Sequence, residues 1–285
     1  MTTISTSPSA LDAGTAAPAL PRTQGAGLVT TTMQAARRTV LQYLRTPQLL
    51  VLPTIMSALF LFVFRYILGG AIQPGGGVDY VDFVVPGFLV TTILWTGMNA
   101  PAGVAEDATS GVHDRLRSLP IPRAAVVAGR ALADTALAAW TVLFTAVLGY
   151  AVGFRAHGSA GAVVLAFAVM LVADLAFSWL FISLGLSAGN AQAAQGMSTL
   201  LVVPLTFVSS AYVPVDSMPG WLQPIAANQP VTVITNAVRS LVLGGTDAAG
   251  VGHTTAYWVV LSVAWCVAIF AVFASIAVAR FSRTR

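Results

Sequence analysis

Residues 161–186 read GAVVLAFAVMLVADLAFSWLFISLGL, and this stretch decides the fold class. It contains 14 Leu, Val, Phe and Ile side chains and one charged residue, Asp174. Near the centre of a span, each such apolar side chain favours insertion into a bilayer by about 0.3 to 0.6 kcal/mol, whereas one aspartate costs about 3 kcal/mol. The apolar side chains outweigh the aspartate, so the stretch is predicted to cross a membrane as a helix.

The composition of the whole chain agrees with this prediction. Hydrophobic residues make up 56% of the 285 residues and charged residues make up 8%, whereas a soluble domain carries about a quarter of charged residues. So few charges cannot cover a water-facing surface, which excludes a soluble globular domain. The net charge of +4 is therefore interpreted by position along the chain, and no nucleic-acid partner is expected.

Outward from residues 161–186, the hydropathy pattern predicts an all-α integral membrane protein with six spans. The predicted transmembrane domain covers residues 47–285, with spans at 47–68, 83–105, 125–153, 161–186, 196–213 and 254–279. Residues 213–245 mix prolines with apolar residues, Trp221 and Arg239. They are predicted to form short external re-entrant or interfacial helices before the last span, because irregular backbone at membrane depth must be shielded by protein.

Two segments precede the first span. Residues 1–27 are rich in Ala, Thr, Ser and Pro and lack an apolar signal-peptide core, so a disordered cytoplasmic tail is expected. In residues 28–46, apolar side chains recur at helical spacing and arginines take the other side. This pattern favours an interfacial amphipathic helix with its arginines toward anionic head groups, and membrane lipids as partners. An ordinary soluble amphipathic helix is the alternative.

The arginines are distributed unequally between the two sides of the predicted spans. Eleven of the 14 lie in the N-terminal region, in the loop between spans two and three or at the C-terminus, whereas Arg65, Arg155 and Arg239 lie on the opposite side. Because cytoplasmic loops carry an excess of positive charge, both termini are predicted to be cytoplasmic in a multi-pass protein of the plasma membrane.

Residue types that carry chemistry are sparse. All 14 basic residues are arginine, and a P-loop needs a lysine on the phosphates, so the sequence offers no P-loop for ATP. The single cysteine, Cys266, excludes a disulfide framework and a cysteine-based metal site, and the three histidines lack ligand spacing. We predict no catalytic residues, no metal site and no cofactor bound by this chain. A membrane-bound acyl- or glycosyltransferase is disfavoured for the same reason.

The segment 106–123 is the most informative polar stretch. It places charges of both signs around an apolar edge formed by Leu116 and Leu119, and Pro120 and Pro122 end the predicted helix. Such a helix can insert into a groove on a soluble partner. It can equally lie on the lipid surface, where its arginines satisfy the positive-inside bias. The residues alone leave both interpretations open.

Two motifs resemble the permeases of ABC-2 type exporters, in particular the daunorubicin-resistance-like branch. The first is EDATSGVHDRLRSLPIPRAAVVAGRALAD (106–134), and the second is NQPVTVITNAVRSLVLGG (228–245). The second motif includes Asn228, Pro230 and Arg239; Gln229 separates Asn228 from Pro230, where the family pattern has Asn-Pro directly. The resemblance implies that segment 106–123 docks on a separate ATPase. The coupling residues that it implies are Glu106, Asp107, Gly111, Asp114, Arg115, Leu116, Arg117, Leu119, Pro120 and Arg123.

The resemblance also implies an activity. Two permease chains, identical or different, would pair, and each would dock on one ABC ATPase subunit that binds ATP and Mg. ATP hydrolysis would then drive a small lipophilic drug, antibiotic or lipid outward across the membrane, and this chain would be a transport subunit, not an enzyme. The alternative is a proton-coupled secondary transporter that uses Asp134 and Asp174.

Polar residues within the predicted spans are the candidates for substrate contact. Arg130 lies four residues before Asp134, which predicts an ion pair on one helix face. Asp174 has no visible partner in the sequence, so packing and substrate contact remain equal alternatives. Polar side chains also occur on spans two and five, which line the pathway in similar exporters, although small polar groups also serve as glue between helices. These candidates are Trp95, Asn99, Thr206, Ser209 and Ser210.

Overall fold

The computed structural model describes residues 27–68, 79–98, 100–109 and 123–283, and its regular elements in these ranges are all helical. A five-residue π-helical turn spans Phe64–Leu68, and a 3₁₀ turn spans Val215–Ser217. The helices are α1 Leu28–Arg45, α2 Gln48–Val63, α3 Tyr80–Gly97, α4 Ala100–Thr109, α5 Arg123–Ala151, α6 Ala160–Gly185, α7 Ala191–Phe207, α8 Gln223–Asn228, α9 Pro230–Val242, α10 Thr246–Ala249 and α11 Thr255–Arg283.

Four helical segments in the described part are long and apolar enough to cross a membrane. They are Tyr80–Val104, Val127–Ala151, Ala160–Gly185 and Thr255–Arg280. Helices α2 and α7 are apolar but shorter, with 16 and 17 residues. The prediction of an all-α membrane protein is therefore confirmed. The count of six spans additionally requires α2 and α7 to cross, and it stays a prediction.

Side-chain caps set the start of two helices. The Ser159 hydroxyl accepts a hydrogen bond from the Ala162 N–H at 3.2 Å, and α6 begins at the next residue. The Asn190 side chain accepts one from the Ala193 N–H at 2.8 Å. Because asparagine satisfies an otherwise unpaired N–H at a helix start, α7 begins at Ala191, five residues before the predicted start of span five.

Helix α3 lies at the centre of the bundle. Its side chains are buried except for Asp82, which is partly buried, and Trp95, which is 36% exposed. It packs against α5, α6 and α9, while α11 runs along α6 and α1 runs along α5. At Gly87 a Cβ atom would clash with the Ala211 carbonyl oxygen. Glycine therefore allows α3 to approach the segment that follows α7.

The segment between α7 and α11 contains short helices, of which α9 is the largest. Every side chain from Val231 to Val242 is buried, and α9 packs against α11, α6 and α3. Pro230 occupies the first turn, where its missing N–H costs nothing. Two glycines with positive φ, Gly244 and Gly245, then turn the chain away from the helix. This burial shields the irregular backbone around α9.

Candidate transport groove

An open groove of about 450 Å³ lies between α2, α3 and the end of α7. Most of its lining is aromatic or aliphatic, and its polar groups come from Gln48, Ser57, Thr92 and Thr96, together with the indole of Trp95 and the phenol of Tyr212. The complete lining is Gln48, Leu52, Pro53, Met56, Ser57, Phe60, Phe64, Phe88, Thr92, Trp95, Thr96, Phe207 and Tyr212.

Tyr212 organises one end of the groove. Its ring stacks on Phe64, with centroids 4.6 Å apart and planes 12° apart, and it also contacts Phe88 at 6.3 Å and Phe207 at 5.8 Å. Its hydroxyl lies 2.8 Å from the Thr91 hydroxyl, which satisfies the buried phenol. Aromatic rings in such arrangements attract one another beyond the apolar area they bury. The result is a preformed aromatic wall.

The helical repeat explains why these residues share a surface. Phe60 and Phe64 are four residues apart on α2 and on its continuation, and Phe88, Thr92 and Trp95 follow one face of α3. The opposite wall is loosely covered. Leu52, Met56 and Phe60 on α2 are each about half exposed. The groove is therefore open on the α2 side and closed by the core on the α3 side.

The polar candidates of spans two and five do not all reach the groove. Trp95 lines it, whereas Asn99 lies outside the described residues. Ser209 donates to the Thr206 carbonyl at 2.6 Å, and the Ser210 N–H donates to the Thr232 hydroxyl at 3.0 Å. Both serines and Thr206 are buried. The contacts of the two serines fit the packing alternative, because they join the end of α7 to itself and to α9. The Thr206 hydroxyl has no hydrogen-bond partner among the described residues.

Arg239 ties α9 to the start of α3. Its Nε and Nη2 atoms donate to the Phe83 carbonyl at 3.1 and 2.9 Å, and Nη2 also donates to the Ser210 carbonyl at 3.1 Å. The guanidinium carbon lies 3.8 Å from the centroid of the Phe83 ring, a cation–π contact. Burial lowers the pKa of Arg239 to about 9, so the side chain keeps its charge at neutral pH.

Two other residues of the second motif have local roles. Asn228 ends α8, and its side-chain N–H donates to the Pro224 carbonyl at 2.9 Å. Pro230 begins α9. Together with Arg239 they lie in the short-helix segment, and none of the three lines the groove.

A buried polar cluster joins α1 to α5. The Tyr43 hydroxyl donates to Asp134 Oδ1, and Arg130 Nε lies 3.4 Å from the same oxygen. The pairing of Arg130 with Asp134 is thus as the i, i+4 spacing predicted. Burial, followed by the negative charge of Asp134, raises the pKa of the Tyr43 phenol well above its usual range, so Tyr43 stays a hydrogen-bond donor.

Asp174 lies on α6 beside the Thr135 and Ser178 hydroxyls and within electrostatic range of Asp134. Its side chain is 2% exposed, and its Oδ2 atom has no hydrogen-bond partner among the described residues. The two buried acids therefore lie within electrostatic range of each other in the interior. Neither of them lines the aromatic groove.

The predicted coupling segment is only partly described. Glu106 and Asp107 lie in α4, and Arg123 is the first residue of α5, but the positions of these three side chains are not described. The remaining predicted coupling residues, Gly111, Asp114, Arg115, Leu116, Arg117, Leu119 and Pro120, lie outside the described residues. Their role stays a prediction.

Sequence reasoning missed most of the groove. The i, i+4 pair Phe60 and Phe64 is a signal that could have been used, because it places two rings on one helix face. Tyr212 and Phe207 carry no such signal, since they reach α2 and α3 from a segment more than 100 residues away. Tyr43 was also missed: its partner Asp134 is 91 residues distant.

Comparison with known proteins places the chain in a family. Residues 30–243 match the family described as ABC-2 type transporter. This match covers most of the sequence and includes the groove, the α1–α5 cluster and α9. The chain belongs to the ABC-2 type transporter family.

Named relatives agree with this assignment. The chain is 32% identical, over 76% of its length and 76% of the relative, to the daunorubicin resistance ABC transporter permease protein DrrB1 of Streptomyces coeruleorubidus. It is 24% identical to the probable doxorubicin resistance ABC transporter permease protein DrrC of Mycobacterium tuberculosis, over 79% of this chain and 82% of that one. The inner membrane transport permease YadH of Escherichia coli is 26% identical over 70% of this chain and 77% of its own length.

Proposed function

We propose that this chain is the permease subunit of an ATP-driven exporter that moves a small lipophilic drug, antibiotic or lipid out across the plasma membrane. The observation that carries the proposal is the aromatic groove of about 450 Å³ between α2, α3 and the end of α7. Small-molecule sites are typically concave and mostly apolar, with a volume of roughly 300 to 1,000 Å³ and few polar groups. The groove has these properties in a chain of a transport family.

The lining chemistry supports a lipophilic substrate with a flat or aromatic part. Phe64, Phe88 and Tyr212 offer ring faces, and the Trp95 indole adds an amphipathic wall. Thr92 and Thr96 provide hydroxyl groups that can orient a polar substituent. The names of two relatives refer to resistance to the drugs daunorubicin and doxorubicin, which agrees with this substrate class.

Energy is proposed to come from a second kind of chain. The sequence contains no lysine for a P-loop, and ABC-2 permeases work with an ABC ATPase subunit. Segment 106–123 would dock on that ATPase, which binds the ATP and Mg, and a second permease chain would complete the complex. Both termini would lie in the cytoplasm beside the ATPase, as the arginine distribution predicts.

Gentle purification of the intact complex tests this proposal. Native mass spectrometry of the detergent-solubilised chain is expected to show an ATPase subunit in equal amount, together with a second permease chain. A permease that is recovered from its native membrane without any ATPase, under conditions that keep its own oligomer intact, would contradict the proposal.

The second candidate is a proton-coupled transporter. Asp174 favours it, because one oxygen of this buried acid has no hydrogen-bond partner among the described residues, and Asp134 lies nearby. The position of both acids away from the groove speaks against it. Collapse of the proton gradient at constant ATP distinguishes the two: only a proton-coupled transporter would stop, and Asp174→Asn would stop it too.

A further inference from the structure

Helix α1 presents three different faces around its axis. One face is buried against α5 through Thr31, Ala36 and Tyr43. At Gly129 of α5, a Cβ atom would lie 2.5 Å from Ala35 Cβ and 2.7 Å from the Thr32 carbonyl oxygen, so the two helices are in close contact. This contact fixes the rotation of α1, and therefore fixes what its two remaining faces present.

The second face is apolar and uncovered. Val29, Met33 and Leu44 are spaced by 4 and 11 residues, which places them along one stripe of a helix with 3.6 residues per turn. They are 75%, 62% and 61% exposed. An exposed apolar stripe on a helix that leads directly into the apolar α2 is suited to contact with acyl chains.

The third face is basic. Arg38 and Arg45 are seven residues, or two helical turns, apart, which puts their Cα atoms roughly 10 Å apart along the same side. They border a shallow concave surface, whose other lining residues are Gln34, Arg37, Leu41, Gln42 and Thr46. The sequence has no acidic residue between Asp12 and Asp79, and within the described ranges no ion pair involves Arg37, Arg38 or Arg45. Among the described residues, no ion pair therefore balances the positive charge of this face.

From these three faces we propose that α1 carries a binding site for the phosphate head group of an anionic phospholipid, formed by Arg38 and Arg45 with help from Arg37, Gln34 and Gln42. Arginine is suited to this ligand because its planar fork donates two parallel hydrogen bonds to a phosphate. The stripe of Val29, Met33 and Leu44 would receive the acyl chains of the same lipid, since it borders the basic face. A docked protein would leave that stripe unexplained.

The test uses the full-length protein and lipids of one acyl composition. The wild-type protein, the double variant Arg38→Gln/Arg45→Gln and the control Arg155→Gln are exposed to equal amounts of phosphatidylglycerol and phosphatidylcholine in detergent. Retained lipids are then counted by native mass spectrometry. Arg155 is a matched control, because it is exposed but bonds the Tyr150 and Phe154 carbonyls, far along the chain from α1.

The wild-type protein and Arg155→Gln are expected to prefer phosphatidylglycerol. Each arginine near an anionic surface raises the affinity for it by a factor of about five. The preference of the double variant for phosphatidylglycerol should therefore be at least about tenfold lower than that of wild type. Met33→Ser should weaken retention of both lipids. Equal phosphatidylglycerol preference in the double variant and in wild type would overturn the proposal.

Two further measurements distinguish a bound lipid from free phosphate and from a docked protein on this face. Inorganic phosphate at millimolar concentration should displace little phosphatidylglycerol; complete displacement would show a free-phosphate site and contradict a lipid site. Loss of ATPase co-purification in the double variant, with lipid preference unchanged, would make the basic face a protein-docking surface and would likewise overturn the proposal.

Discussion

Single polar residues in the interior are held by partners that are distant in sequence. Tyr43 reaches Asp134 from α1, and Arg239 reaches the Phe83 and Ser210 carbonyls from α9. Because a buried polar group that lacks a partner costs about 1 to 3 kcal/mol, each contact fixes one helix relative to another. These contacts therefore hold in place the helices that carry the groove.

Tyr43→Phe removes one hydroxyl and leaves the ring. We expect the free energy of unfolding to fall by about 1 kcal/mol, because Asp134 loses a buried donor but keeps Arg130. Thermal unfolding in detergent should show a decrease in Tm of about 2–4 °C. Tyr66→Phe, which removes an identical hydroxyl from a side chain that is 61% exposed, serves as the control; equal Tm values for both variants would contradict the role of the Tyr43 hydroxyl.

Trp95→Ala removes the one exposed side chain of α3 and enlarges the groove. Substrate-stimulated ATPase activity of the reconstituted complex should fall about tenfold, since burial of an indole against an apolar ligand is worth more than 1 kcal/mol. Trp140→Ala is the matched control, because Trp140 is 52% exposed and does not line the groove. If the two variants lower stimulation equally, Trp95 does not contact substrate.

At the scale of helices, the hydropathy pattern predicted the individual helices, because helix formation depends mainly on residues that are close in sequence. Apolar runs predicted α5, α6 and α11. Apolar residues at helical spacing, with arginines on the other side, predicted α1. The groove could not be predicted in this way, because its walls come from α2, α3 and the end of α7, and no local pattern encodes how these pack. The starts of α6 and α7 depend on the caps at Ser159 and Asn190, which hydropathy alone does not register.

Gly129→Leu tests the contact between α1 and α5. A leucine side chain would collide with the Thr32 and Ala35 region of α1, so overpacking should cost about 1 to 3 kcal/mol and move α1 away from α5. Trypsin should then cut faster at the α1 arginines. Gly196→Leu makes the same change on α7, where nothing lies within 4 Å of the new Cβ, and should leave the cleavage rate unchanged. An unchanged rate in Gly129→Leu as well would contradict close α1–α5 packing.

Segment 106–123 is the element through which ATP energy is proposed to enter. Arg115→Glu or Arg117→Glu reverses one charge there and should abolish co-purification of the ATPase, because a docking helix of this kind relies on charge complementarity at its rim. Membrane insertion should be unaffected. Arg155→Glu, a charge reversal in the turn before α6, should keep the ATPase bound. Normal ATPase recovery with both Arg115→Glu and Arg117→Glu would exclude this segment as the docking element.

At the scale of the whole molecule, the two walls of the groove differ in burial. The central helix α3 and α9 are buried and pack against each other, whereas the more exposed α2 forms the open wall of the groove. An exporter needs such an asymmetry, since one wall must move while the other keeps the site intact. Movement of α2 relative to α3 would change the groove volume, and the docked ATPase would supply the force.

Transport by the reconstituted complex tests the central claim most directly. Inside-out vesicles that contain this chain and its ATPase are supplied with ATP and a fluorescent lipophilic drug, with proton and ion gradients collapsed. Accumulation that requires ATP and both kinds of chain is the predicted result. In parallel vesicles that have an imposed proton gradient and no ATP, accumulation by this chain alone would contradict it.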